Sequence, residues 1–207
     1  MKRSGSPRLL PLFIVVLIII VIIFGIVSIG RALFSSNQTT QSQESDTGRE
    51  ALLNTSVNHS ARLTVRGPIV ANELFKSYQV TVSPEGRSMV VYNGYLGTVD
   101  KRSDLDNNHK AYEQFVYALD KANMMKGKVP EGDDKNDVRG ICATGYVYEY
   151  EVLNGSNQVK RLWTSTCDGS KGSLQASVGQ LNNLFHRQIP DFEKIYPFRV
   201  LDAQLRL

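Results

Sequence analysis

Residues 142–167 read CATGYVYEYEVLNGSNQVKRLWTSTC, and this stretch decides the fold. Two runs of alternating bulky and polar side chains flank Asn154-Gly155, a dipeptide suited to a two-residue hairpin turn. With those two residues as the turn, opposed positions have numbers summing to 309, and Cys142 and Cys167 face each other. The same register opposes Glu149 with Lys160, Val147 with Leu162 and Tyr146 with Trp163, all favourable cross-strand pairs. It sorts Tyr146, Tyr148, Tyr150, Val159, Trp163 and both cysteines onto one face, in line with Arg161, and leaves Glu149 and Glu151 on the other. The expectation is a hairpin closed at its open end by a Cys142–Cys167 disulfide. A metal pair would need a nearby His or further Cys, and a redox pair would want C-x-x-C.

Upstream, residues 61–67, 77–83 and 88–94 alternate or cluster β-branched side chains and read as strands. Ser83-Pro84-Glu85-Gly86 is hairpin-turn chemistry between the last two. From Asn108 to Met125, Ala111, Phe115, Ala118, Leu119 and Ala122 form one helical stripe, with Asn108 as cap and Gly127 as terminator. A second helix starts at Ser177, where Gln180 completes a capping box, buries Val178, Leu181, Leu184 and Phe185, and stops at Pro190. A short apolar tail, FEKIYPFRVL, follows. This order predicts an α+β fold in two layers, an antiparallel sheet carrying both helices on its aromatic face.

The N-terminus is of another kind. Residues 9–30 carry no charge and, as a helix at 1.5 Å per residue, would cover about 30 Å, the thickness of a bilayer's hydrocarbon core. The run exceeds a signal peptide's apolar core, and no Cys follows it for lipid attachment. It predicts a transmembrane helix over 9–34, with Pro11 in its first turn and Gly25, Ser28 and Ala32 as a small-residue face. Lys2, Arg3 and Arg8 precede the run and Arg31 follows it, so residues 1–8 should stay in the cytoplasm and the remainder lie outside the cell membrane. Residues 35–60 are rich in Ser, Thr, Asn and Gln and read as a flexible tether of about 26 residues with a reach of roughly 30 Å. Residues 61–207 then form one extracytoplasmic domain, on the oxidising side where a disulfide persists.

That division changes the meaning of the charge. The chain of 207 residues has 24 Lys plus Arg against 20 Asp plus Glu, a formal +4. Lys2, Arg3, Arg8 and Arg31 are the only charges before residue 35, so 24 minus 4 leaves 20 against 20 beyond it. The basic balance reports topology, and no nucleic-acid partner is expected.

Motifs for chemistry are missing: there is no G-x-S-x-G, H-E-x-x-H, P-loop or dinucleotide-binding glycine pattern. His59 in the tether, His109 at a helix start and His186 late in the second helix have no ligand-spaced partner. Asp104, Asp106 and Asn108 alternate like calcium-loop ligands, but His109 stands where the loop needs Gly and Phe115 where it needs Glu. The acidic run 131–137 reads as a solvated loop. Glu149 and Glu151 sit about 7 Å apart on one strand face, a spacing a glycosidase could use; Lys160 opposite Glu149 favours a solvated face instead. Tyr146, Tyr148, Tyr150, Arg161 and Trp163 leave two roles open, a core under the helices or a platform on which sugars, bases or peptides could stack. No cofactor and no metal are expected.

With its anchor, tether, paired cysteines and the segments YVYEYEVLNGSNQVKRLWTSTC and LFHRQIPDF, the chain resembles small membrane-anchored proteins of unknown function from reduced-genome, Saccharibacteria-type bacteria. That resemblance implies an envelope location and brings no activity. In element order the domain also resembles the emfourin family of small metalloprotease inhibitors, from which the anchor and the disulfide depart. The expected function is a non-enzymatic binding or structural role in the cell envelope. Its partners would be the bilayer through residues 9–34 and an envelope protein or glycan. A tethered protease inhibitor and a cell-wall hydrolase are the alternatives.

Overall fold

The computed structural model describes residues 47–129, 136–170 and 172–196. The run expected to cross the membrane, 9–34, and the first part of the tether lie outside the described residues. No helix among those described is long and apolar enough to span a bilayer.

The fold is α+β. Six strands, β1 (His59–Arg66), β2 (Lys76–Val82), β3 (Gly86–Asn93), β4 (Thr98–Asp106), β5 (Val147–Asn154) and β6 (Asn157–Ser165), form one antiparallel sheet in the order β4-β3-β2-β1-β5-β6. Helices α1 (Thr47–Leu53), α2 (His109–Lys121), α3 (Val178–His186) and the single turn α4 (Phe192–Ile195) contribute to one core. Alternation explains the layering: Ala61, Leu63, Val65, Tyr78, Val80, Val82, Met89 and Val91 all point to the helix side and are buried.

The expected strands and the Ser83–Gly86 turn are present, the turn tied by Ser83 N–H to the Gly86 carbonyl at 2.8 Å. The edge strand β4 was not foreseen. Its sequence, TVDKRSDLD, is almost wholly exposed and lacks an apolar stripe.

The supposed tether between residues 47 and 60 is corrected. Thr47–Leu53 is a helix whose Leu52 reaches the core, and Arg49 pairs with Asp120 at 2.6 Å. One buried leucine and one long-range ion pair are invisible to a composition reading. His59, placed in the tether, is the first residue of β1, buried, with Nδ1 2.8 Å from Ser56 Oγ.

Asn108 does cap α2, its side chain accepting from Ala111 N–H at 3.0 Å. The buried stripe is rotated from the expected one, to Tyr112, Phe115, Val116 and Leu119, and Ala111 is exposed. Tyr112 and Val116 complete an i, i+3, i+4, i+7 pattern that alanines had masked. The helix ends at Lys121, with Asn123 taking the left-handed conformation, φ 61°. Gly127 does not end the helix: it bridges Leu174, where a Cβ would strike the Ser173 carbonyl. Ser177 caps α3 by accepting from Gln180 N–H, and α3 ends at His186, before Pro190.

The hairpin is present in another register. Asn154 pairs with Asn157, so Gly155-Ser156 is the two-residue turn, with Gly155 at φ 59°. The pairs sum to 311 there, and to 312 beyond an irregularity at Val152/Leu153. Moving from an odd to an even sum turns β6 over relative to β5. Glu149 therefore faces Trp163 rather than Lys160, and Val147 faces Ser165 rather than Leu162.

Cys142 and Cys167 are nevertheless disulfide-bonded, with Cα atoms 5.4 Å apart. They do so outside the ladder. Thr166 N–H donates to the Tyr146 carbonyl at 3.0 Å while Tyr146 N–H donates to Thr166 Oγ1 at 2.9 Å, and residues 142–145 then fold back so that Cys142 reaches Cys167. Gly145 permits the close passage, since a Cβ there would lie 2.9 Å from Cys142 Sγ.

Candidate functional site

The flipped register divides the expected aromatic platform between two faces. Tyr148 and Tyr150 are 1 % and 0 % exposed beneath the helices, and Tyr146 packs partly buried beside them. Tyr150 O–H donates to Asn182 Oδ1 at 2.7 Å, and burial pushes its phenol well above the usual range. Arg161 and Trp163 lie on the far face with Glu149 and Glu151. The five residues offer no common surface to a ligand.

On the far face, charges meet across three strands. Arg62 Nε donates to Glu151 at 2.6 Å, Arg66 Nε to Glu149 at 2.6 Å, and Arg161 Nη1 to the other Glu149 oxygen at 3.0 Å. Glu149 and Glu151 are only 3 % and 6 % exposed. Buried carboxylates persist where donors meet them, and guanidinium forks suit that role. This arrangement corrects the solvated face expected from a Glu149–Lys160 pair. Lys160 Nζ instead donates to the Met125 carbonyl at 2.9 Å, on the helix side.

Part of this face is covered. Residues 136–142 cross it, with the Asn136 carbonyl accepting from Arg161 and with Val138 and Cys142 packed on Val147 and Trp163 as a second small core. Trp163 is 4 % exposed and cannot stack on a sugar or a base. Asp137, the end of the acidic run, pairs with Arg139, whose hydrogen bonds hold its carboxyl down to about 2. Residues 131–135 lie outside the described residues.

Chemically, the far face is spoken for. Glu149 accepts from arginine through both oxygens and Glu151 through one, and these bonds tie the two buried carboxylates into the sheet. Of the other residues weighed, Asp104 pairs with Arg102 on β4, Asp106 closes that strand and Asn108 caps a helix. His186 Nε2 lies 2.8 Å from Tyr78 Oη, with its ring stacked on Phe192 at 3.8 Å. Among the described residues no group of three His, Cys, Asp or Glu could hold a metal.

A different region stands out. The β1–β2 loop and the β3–β4 turn meet at one end of the sheet and expose Ile69, Val70, Leu74, Tyr95, Leu96 and Val99. Leu96 is 95 % exposed. The two segments are fastened together: Tyr95 O–H donates to the Val70 carbonyl at 2.7 Å, Tyr95 N–H to Asn72 Oδ1 at 3.0 Å, and the Tyr95 ring stacks on Phe75 at 4.1 Å. Gly94 and Gly97, at φ 73° and 70°, let the chain reverse around the exposed pair. Sequence reading missed this region because it sought charged or nucleophilic groups. The available signal was Tyr-Leu between two glycines, where a hairpin turn normally carries polar residues.

Neither a protein-family model nor a curated protein matches the chain.

Proposed function

We propose that the protein is a non-enzymatic, single-pass cell-membrane protein. In this reading residues 9–34 cross the bilayer, residues 1–8 stay in the cytoplasm, and the disulfide-bonded α+β domain binds another component of the envelope on the outside. One observation carries the binding role: the end of the sheet holds five exposed apolar side chains on two loops that are hydrogen-bonded to each other, with Val99 beside them at the start of β4. Monomeric domains rarely leave such a group uncovered without an interaction to serve. The pairing of Glu149 and Glu151 with Arg62, Arg66 and Arg161 supports the same reading over a wall hydrolase.

Site-specific photocrosslinking in whole cells tests this. A photoreactive residue at Leu96 should give a defined adduct, whereas one at Glu85, exposed in the β2–β3 turn at the other end of the sheet, should give none. Equal labelling at both positions, or wall cleavage by the purified chain that disappears in Glu149→Gln, would overturn the proposal. A protruding, internally braced tip also suits the second reading, a tethered protease inhibitor. Inhibition of a secreted metalloprotease that is lost in Leu96→Asp would favour that reading.

A further inference from the structure

We propose that the tip built by the β1–β2 loop and the β3–β4 turn is a lipid-contacting surface. It seats Leu96 and Tyr95 in the interfacial layer of the same bilayer that holds the chain's N-terminal apolar run. This rests on the reading of residues 9–34 as an anchor.

Four observations converge on lipid as the occupant. The tip mixes aliphatic side chains with a tyrosine, the combination that partitions at the junction of headgroups and acyl chains. It is nearly uncharged: no acid or base lies between Gly94 and Val99, and Glu73 is the sole charge from Gly67 to Phe75. Its shape is a hairpin turn with Leu96 at 95 % exposure. Such a projection enters a soft apolar phase directly, whereas a protein partner must supply a fitted cavity. Finally, residues 31–46 separate the apolar run from α1, and these 16 residues have a root-mean-square reach of roughly 22 Å as a coil and a limit of about 54 Å when extended. A domain held on so short a tether presents its tip to the bilayer at high local concentration, so weak insertion suffices. A second copy of the chain is a poorer occupant, because stable interfaces use about 20–30 residues a side.

The test uses the full chain in phosphatidylcholine vesicles. Leu96→Cys provides one reactive thiol, the native cysteines being joined, and it is labelled with an environment-sensitive NBD probe. Glu85→Cys carries the same probe at the other end of the sheet. The expected result is blue-shifted emission at position 96, quenched several-fold more by doxyl-labelled lipid than at position 85. Water-like emission at position 96 in chains that float with the vesicles would overturn the tip proposal and leave the anchor standing. Blue-shifted emission that doxyl lipid does not quench would also overturn it, in favour of protein contact, and would leave the binding role intact. Chains that fail to float would overturn the anchor and the tip proposal together.

Discussion

Within β5, neighbouring residues are buried by opposite means. Tyr148 and Tyr150 point into the helix-covered layer, while Glu149 and Glu151 point the other way, and all four are at most 6 % exposed. The tyrosines displace water with apolar neighbours; the glutamates exchange it for Arg62, Arg66 and Arg161. Burial alone therefore does not separate core from site. What separates them is how each side chain is repaid for leaving water, and the two faces should respond differently to substitution.

The apolar face should be the more sensitive. Tyr150→Ala removes a fully buried ring and its bond to Asn182, and about 4 kcal/mol of stability should be lost, measurable by urea unfolding. A loss below about 1 kcal/mol would mean that this layer is loosely packed.

Breaking the covalent link beside the far face comes next. Replacing Cys142 and Cys167 together by Ser frees a 25-residue separation and should cost about 3 kcal/mol by loop entropy. It should also loosen residues 136–142 over Trp163, so tryptophan emission should move to the red before global unfolding. Unchanged emission would show that the second small core closes without the disulfide.

The two glutamates sharpen the comparison further. Glu149 meets two arginines, one of them Arg161 with only 20 % of its side chain exposed; Glu151 meets one. Glu149→Gln should cost about 2–3 kcal/mol because it weakens contacts to two guanidinium groups at once, and Glu151→Gln about 1 kcal/mol, since only Arg62, 27 % exposed, loses a charged partner. Equal losses would show that the cover over Arg161 has no electrostatic consequence.

The smallest effect is on the phenols. Burial raises Tyr196 to about 12 and raises Tyr112 and Tyr150 as well. A raised folded value favours the folded state below the unfolded value near 10, and that stability is lost as pH climbs through the folded value. Between pH 10 and 11 each such phenol should remove about 1 kcal/mol. The part of the phenolate absorbance at 295 nm that belongs to these three rings should therefore appear only with loss of the circular dichroism signal. Full ionisation of a still-folded chain would contradict the burial of these rings.

How much of this was legible depends on what each residue answers to. The YEYE alternation showed that β5 has two faces, and the turn-flanking pattern showed a hairpin, because both are local. The register was not legible: a one-residue difference in turn position, plus an irregularity at Val152, moved Arg161 and Trp163 to the other side. The disulfide came out correctly although its supporting register did not, because residues 142–145 fold back independently of the ladder. Arg62 and Arg66 as partners of the glutamates were out of reach, being 89 and 83 residues away in sequence. The α+β class itself needed only element types and order.

Among the described ladders, β1–β5 alone joins strands that are not neighbours in sequence. Sliding β5 by two places along β1 would keep every tyrosine on its own side, so hydrophobicity hardly opposes such a slip. The charges do oppose it. In one direction Arg66 comes opposite Glu149 but Arg62 comes opposite Leu153, and in the other Arg62 comes opposite Glu149 but Arg66 comes opposite Gly145, so either slip disturbs one of the two present pairs. The ionic row thus acts as an alignment key for the one described seam that joins distant parts of the chain, setting where the two halves lock rather than how tightly they hold.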